Sequence, residues 1–116
     1  MTIQEMYAAV GGDYSEIISR FKTEDRVIKF TGMFPRDTSY QLLCSSIENG
    51  NIDEAFRAAH TLKGLCANLA FSRLQKSSSE ITELLRAQKL DEAKAYLPTV
   101  AEHYEQTVSA IKEALG

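Results

Sequence analysis

Apolar residues in this chain do not alternate with polar residues as they would in strands, and the segments are not rich in β-branched side chains. Turn-forming residues divide the chain at Gly11-Gly12, at Pro35, at Gly50-Asn51 and at residues 88–90. The segments between these points have the character of helices. An all-α fold is therefore predicted.

Three short helices are predicted near the amino terminus, at residues 3–10, 14–21 and 24–34. Four longer helices are predicted to follow, at residues 38–49, 52–70, 73–87 and 92–115. Their connections of two to five residues imply that neighbouring helices run antiparallel. The predicted architecture is one domain, in which an antiparallel up-down four-helix bundle of residues 37–116 follows short extra N-terminal helices within residues 1–36.

Side chains that can accept a hydrogen bond from a backbone N–H mark the predicted helix starts. These residues are Thr23, Asp37, Asn51, Ser72 and Asp91, and Asn51 with Glu54 three positions later is close to a capping box. Pro98 lies inside the last predicted helix, where it cannot donate to the carbonyl of Lys94. A kink or a break is expected there.

The length of 116 residues fits a single domain, and 44% hydrophobic with 25% charged residues is typical of soluble globular proteins. A net charge of −3 gives no long-range attraction for nucleic acid or anionic membranes, so neither is an expected partner. No window is apolar enough to span a membrane, and the amino terminus does not resemble a secretion signal. The two cysteines, Cys44 and Cys66, lie 22 positions apart without a second pair. Together these features predict a cytoplasmic protein with reduced thiols.

The helix predicted at residues 52–70 separates into two faces when its residues are set about 100° apart. One face is an apolar stripe suited to burial, formed by Ile52, Ala55, Phe56, Ala59, Leu62, Cys66 and Leu69. His60 lies on the flank of this stripe. It shares a surface strip with Lys63, Gly64, Ala67 and Phe71.

Gly64 is unusual because glycine inside a helix is less favourable than alanine by about 1 kcal/mol. Gly64 faces away from the apolar stripe, so its missing side chain makes room for the backbone of another protein to approach His60. The ammonium group of Lys63, one turn from the imidazole, can offset the charge of a phosphate on the ring nitrogen. The three residues predict a phosphate-accepting site.

The motif His60-Thr-Leu-Lys63-Gly64, followed by Ala67-Asn-Leu, resembles the His-x-x-Lys-Gly motif of histidine-containing phosphotransfer (HPt) domains. The resemblance implies that His60 takes a phosphoryl group from the phosphoaspartate of a response-regulator receiver domain and passes it to another receiver. It also implies a stand-alone phosphocarrier charged by a hybrid histidine kinase. Magnesium would be bound by the receiver, with no cofactor in this chain.

Two positions depart from the pattern of the family. Ala70 stands where many members carry glycine, and Thr82 stands where members often carry Gln or Glu to hydrogen-bond the other imidazole nitrogen. Ser79 or Thr82 is the expected substitute hydrogen-bonding group. Arg86, one turn further along, is a candidate second cation.

A neutral imidazole carries a nucleophilic nitrogen, so His60 needs no activating base, and the partner receiver is expected to complete the chemistry. The chain has no Gly-rich nucleotide loop and no cysteine or histidine spacing typical of a metal site. His103 is interpreted as an ordinary polar position, and Ser77-Ser-Ser-Glu80 as a solvated face with one or two residues turned toward the strip. A monomer is expected because a dimer covering the strip would block transfer.

Two other functions are compatible with the same residues. The first is a binding module, in which the strip docks a receiver domain or another signalling partner without phosphoryl transfer. The second is a small helical hydrolase or metal enzyme, supported only by scattered hydroxyls and two histidines.

Overall fold

The computed structural model describes all 116 residues, and every regular element in it is a helix. The seven α-helices are α1 (Ile3–Ala9), α2 (Tyr14–Phe21), α3 (Glu24–Met33), α4 (Ser39–Glu48), α5 (Ile52–Asn68), α6 (Ser72–Arg86) and α7 (Leu90–Leu115). A single 3-10 turn, Phe34–Arg36, follows α3. The predicted all-α fold is confirmed, and no helix combines the length and apolar composition that a membrane span requires.

The four longer helices pack in chain order and then close on themselves. Helix α5 lies between α4 and α6, α6 packs against α7, and α7 returns to contact α4. The three connections, residues 49–51, 69–71 and 87–89, are three residues long each. Helices α1 and α3 pack against α7, and α2 packs against α3.

One hydrophobic core of 25 buried residues draws on both parts of the chain. Tyr7, Ile17 and Val27 supply it from α1, α2 and α3, and each of them is fully buried. They join buried residues of the longer helices, such as Leu62 and Val100. The N-terminal helices therefore cover a core that α4 to α7 would otherwise expose.

Two of the predicted helix caps are present. The Thr23 hydroxyl accepts a hydrogen bond from the backbone N–H of Arg26 at 3.3 Å, and the side-chain Oδ1 of Asn51 accepts one from the backbone N–H of Glu54 at 3.1 Å. The Glu54 carboxylate accepts from the Asn51 side-chain amide at 3.0 Å rather than from its backbone. Asn51 is therefore a working N-cap with half of the reciprocal pattern.

The other predicted caps are wrong in position. Phe71 and Lys89 are the N-cap residues of α6 and α7, so Ser72 and Asp91 lie inside the first turns. The negative charge of Asp91 still interacts favourably with the positive end of the helix dipole. Asp37 accepts from the backbone N–H of Ser39 at 2.8 Å, although Thr38 is the cap residue of α4. Of the kink or break expected at Pro98, the break is absent, since α7 continues through it.

The predicted end of the histidine helix is also wrong. Helix α5 stops at Asn68, and Ala70 has a φ of +57°, in the left-handed region that favours glycine. This is the position at which the sequence departs from the glycine of the HPt pattern. Ala70 nevertheless adopts the left-handed conformation that glycine favours, so the chain turns away from the helix here although the residue is alanine.

Residues of the N-terminal segment donate hydrogen bonds to each carbonyl of residues 67–70. The guanidinium of Arg20 donates to the first two, at 2.8 and 2.6 Å. The hydroxyl of Tyr7 donates to the third at 2.8 Å, and the backbone N–H of Asp13 donates to the fourth at 2.9 Å. Because a helix leaves its last carbonyls without partners inside the helix, these bonds, together with those from the backbone N–H groups of residues 69–71, satisfy the end of α5.

Replacing Tyr7 with phenylalanine is expected to lower the free energy of unfolding by about 1–2 kcal/mol, because the Leu69 carbonyl would lose its donor in a buried setting. Urea denaturation followed by helical circular dichroism measures the loss. Tyr14→Phe is the matched control, since its hydroxyl donates to Glu24 at the exposed surface, and its effect should stay under about 0.5 kcal/mol. Equal losses in the two variants would contradict the assigned role of Tyr7.

Candidate functional site

Helix α5 brings together four of the five residues of the predicted strip. His60 and Gly64 are exposed, while Lys63 and Ala67 are half-buried. Their spacing of three, four and seven positions places them side by side along one surface of the helix. The structure therefore presents an imidazole, an ammonium group and a gap without a side chain within two turns.

Phe71 does not belong to this strip, and its predicted role in receiver docking is corrected. Its side chain is fully buried, with ring centroids 5.4 Å from those of both Tyr7 and Phe34. The helical spacing that related Phe71 to His60 stops applying where the chain turns at Ala70. The turn sends the phenyl ring into the core.

Gly64 is not required by the packing of the fold. It lies within α5, and a Cβ atom added to it would meet no other atom within 4 Å. Alanine would therefore fit and would favour the helix. The gap beside His60 remains as open surface.

The imidazole of His60 packs on the ring of Phe56, one turn earlier in α5. The two ring centroids are 6.0 Å apart and the planes differ by 16°, an offset-stacked arrangement. The guanidinium carbon of Arg86 lies 4.9 Å from the centroid of the same Phe56 ring. Phe56 thus links the exposed histidine to helix α6.

The supporting residues predicted on α6 have different positions from those expected. Thr82 is fully buried, and its hydroxyl donates to the carbonyl of Ser78 at 2.6 Å, so it does not serve the imidazole. Ser79 is half-buried beside an open polar groove on the outer face of α6, and no contact joins it to His60. Arg86 is exposed, and its Nε lies 3.1 Å from the Glu83 carboxylate.

The interpretation of residues 77–80 as a solvated face is wrong in part. Ser77 and Ser78 are buried, and only Ser79 and Glu80 lie at or near the surface. Ser77 faces α7, where its hydroxyl oxygen is 3.0 Å from Nδ1 of His103. His103 is thereby held between helices, far along the chain from the His60 strip.

The two cysteines are unpaired. Cys66 is buried on the core face of α5, as its place in the apolar stripe predicts, and burial raises the pKa of its thiol. It remains a neutral core residue at ordinary pH. Nowhere in the chain do three or more His, Cys, Asp or Glu side chains gather closely enough to hold a metal ion.

An apolar groove next to the strip was not foreseen from the sequence. It has a volume of about 360 Å³ and is lined by Phe30 and Met33 of α3 and by Leu65 and Asn68 of α5, among others. Asn68 is one turn beyond Gly64, so the groove adjoins the strip. Phe30 and Met33 are 40% and 55% exposed, which is unusual for large apolar side chains.

A helical projection of α3 separates Phe30 and Met33 from its buried residues but does not by itself reveal the groove. Val27 and Thr31, four positions apart, are the buried residues of α3, and Phe30 and Met33 fall beside that line rather than on it. Exposure of Phe30 depends on α3 lying at the edge of the core, which its own sequence does not specify.

The helices and the exposed histidine strip define a helical protein suited to carrying a phosphoryl group on an imidazole. A family profile described as the Hpt domain matches residues 37–114, about two thirds of the chain, and the chain belongs to this family. Hpt domains are phosphocarriers of two-component phosphorelays and interact there with receiver domains and histidine kinases. Neither a curated protein nor a solved structure matches the chain.

Replacing Gly64 with alanine is expected to raise the free energy of unfolding by about 0.5–1 kcal/mol, because alanine favours the helix and meets no neighbouring atom. Gly50→Ala is the matched control, since Gly50 also has open space around it but has a φ of +72°. That variant should lose stability by about 1 kcal/mol. Both values come from urea denaturation, and a destabilised Gly64→Ala protein would show that the fold itself needs the glycine.

Proposed function

We propose that this protein is a stand-alone histidine phosphotransfer protein in which His60 receives a phosphoryl group from one receiver domain and delivers it to another. The observation that carries the proposal is the exposed imidazole on α5 beside Lys63 and the open surface at Gly64. The family of the chain supports the same function. A hybrid histidine kinase would supply the phosphoryl group through its receiver.

We also propose that α4 to α7 form an antiparallel up-down bundle, and that α1 to α3 complete the same single domain. Connections of three residues between successive helices favour antiparallel neighbours. The shared core and the hydrogen bonds to residues 67–70 support one domain.

In the proposed transfer, a nitrogen lone pair of neutral His60 attacks the phosphorus of the receiver's aspartyl phosphate. The N–P bond forms while the P–O bond to the aspartate breaks, and the electron pair of that bond leaves on the carboxylate. The ammonium group of Lys63 offsets part of the phosphoryl charge on the product. Delivery to the next receiver is the reverse reaction, and each receiver supplies the magnesium ion.

The proposed docking face is the exposed side of α5 around Gly64 and Ala67, together with the groove of Phe30 and Met33. Apolar groups at the centre of an interface contribute most of its affinity when a partner removes them from water. A second copy of the chain on this face would cover His60, so the proposed working form is a monomer. A cytoplasmic site of action is consistent with two unpaired cysteines.

One observation favours a second candidate function. Thr82 is buried and its hydroxyl is bonded within α6, so no α6 side chain takes the place of the amide or carboxylate that often orients the histidine in the family. A domain that docks receivers without accepting phosphate would tolerate this loss. Receiver binding without transfer would identify such a module.

His60→Gln is expected to abolish transfer of radiolabel from phosphorylated receiver domains, because the amide has no nucleophilic ring nitrogen. The wild-type protein should become labelled, and its label should be stable to base and labile to acid. His103→Gln is the matched control and should retain transfer, since His103 contacts Ser77 between α6 and α7. If the wild-type protein binds a receiver but never becomes labelled, the binding module replaces the phosphocarrier.

Met33→Gln is expected to weaken receiver binding by about three- to tenfold, because it places an amide at the exposed rim of the apolar groove. Titration of the receiver by calorimetry measures the affinity. The matched control is Ile28→Gln, since Ile28 is an exposed apolar residue of α3 that does not line the groove. Equal affinities of the two variants and the wild-type protein would remove the groove from the docking face.

A further inference from the structure

The contacts around Phe56 point to a role for this residue that the HPt motif does not include. We infer that Phe56 positions the imidazole of His60 for phosphoryl transfer and that Arg86 holds Phe56 in place. This inference rests on the proposed function of His60. Neither Phe56 nor Arg86 needs to touch the phosphoryl group in this role.

The stacked arrangement fixes the plane of the imidazole. The rings of Phe56 and His60 are four positions apart on α5, their centroids are 6.0 Å apart, and their planes differ by only 16°. An exposed histidine without such a contact would rotate among several rotamers. Contact with an aromatic face favours the rotamer seen here.

Stacking also leaves the reactive atoms free. The lone pair that attacks phosphorus lies in the plane of the imidazole, and the Phe56 ring lies nearly parallel to that plane with its centroid 6.0 Å away. A partner can therefore approach the ring edge without displacing Phe56. Along α5, Phe56 lies one turn before His60, and the open surface at Gly64 lies one turn after it.

Phe56 is itself held from helix α6. The Arg86 guanidinium carbon lies 4.9 Å from the Phe56 centroid, within the range of a cation–π contact. The Glu83 carboxylate, 3.1 Å from Nε of Arg86, orients the guanidinium. The half-buried Phe56 ring thus has a defined place between the core and the exposed histidine.

No side chain of α6 makes a hydrogen bond to the imidazole of His60. The hydroxyl of Thr82 is buried and donates to the Ser78 carbonyl at 2.6 Å. The ring stack is therefore the contact by which this chain can orient His60 despite Thr82. Arg86, which the sequence analysis proposed as a second cation for phosphate, acts in this account through Phe56.

The test compares two phosphodonors in wild type, Phe56→Leu and Phe56→Tyr. Transfer from a saturating phosphorylated receiver should slow by about three- to tenfold in Phe56→Leu, because a fixed donor requires a defined ring orientation. Labelling by phosphoramidate, a small donor that can approach from any direction, should change by less than about twofold. Phe56→Tyr keeps an aromatic face and should restore receiver transfer.

A spectroscopic measurement reads the ring orientation without any phosphoryl transfer. The Phe56 ring current should shift the carbon-bound protons of the His60 imidazole in the NMR spectrum. In Phe56→Leu these protons should move toward the positions of free histidine, and in Phe56→Tyr they should not. Unchanged shifts in Phe56→Leu would overturn the inference.

A double-mutant cycle tests whether Arg86 acts through Phe56 or independently of it. Arg86→Met should slow receiver transfer less than Phe56→Leu does, and the double variant should be no slower than Phe56→Leu alone. Independent, multiplying losses would instead assign Arg86 to the phosphoryl group and overturn its part of the inference. Circular dichroism verifies folding, and Phe56→Met replaces Phe56→Leu if the leucine variant does not fold.

The outcomes distinguish this inference from the proposed function. If the wild-type protein transfers phosphate and Phe56→Leu transfers it equally fast, the inference fails while His60 remains the carrier. An equal slowing with receiver and with phosphoramidate would also overturn it, because the effect would then not depend on orientation. If no receiver labels the wild-type protein, the proposed function fails and the positioning role fails with it.

Discussion

The end of helix α5 requires donors for its last carbonyls, and the N-terminal segment supplies those that reach residues 67–70 from outside the turn, while backbone N–H groups of residues 69–71 donate to residues 65–67. Arg20, Tyr7 and the backbone of Asp13 donate to residues 67–70, within a structure whose N-terminal helices also share the core. The bond from Tyr7 to the Leu69 carbonyl is buried, and leaving that carbonyl unpaired would cost about 1–3 kcal/mol. The segment therefore stabilises the end of the histidine helix, although it lies outside the part of the chain that matches the Hpt domain.

Several features of the site follow from this helix end. Ala70 takes the left-handed conformation, the chain reverses, and Phe71 enters the core beside Tyr7. Helix α6 then starts at Ser72 and packs along α5. This packing brings Arg86, at the last turn of α6, to the ring of Phe56 near the first turns of α5. The surroundings of His60 thus depend on a turn at the far end of its helix.

The sequence predicted most of the secondary structure because helix periodicity and N-cap chemistry are local. Thr23 and Asn51 mark real helix starts, and the spacing of His60, Lys63, Gly64 and Ala67 places them on one surface. The errors concern features that depend on tertiary contacts. Phe71 was predicted to lie on the surface because helical spacing was extended to it. Helix α5 ends before Phe71, and the donors Tyr7 of α1 and Arg20 of α2 that bond to this end are distant in sequence.

Small polar residues caused the other errors at the site. Ser77, Ser78 and Thr82 suggested solvation or support for the imidazole, yet all three are buried at the helix contacts of α6. Thr82 satisfies its hydroxyl by donating to the carbonyl four residues earlier, which lets a polar side chain pack without an external partner. The sequence alone does not distinguish this internal bond from a bond to His60, because both use the same hydroxyl.

Replacing a hydrogen bond by a ring stack suits a residue that must act in both directions. A hydrogen bond to one imidazole nitrogen favours one tautomer or one protonation state, and its strength changes when the other nitrogen is phosphorylated. A nearly parallel aromatic ring occupies neither nitrogen, so one can carry the phosphoryl group while the other binds or releases a proton. In the proposed relay, His60 is the nucleophile toward one receiver and the leaving group toward the next. A contact of the Phe56 kind can therefore hold the same ring plane before and after the phosphoryl group arrives.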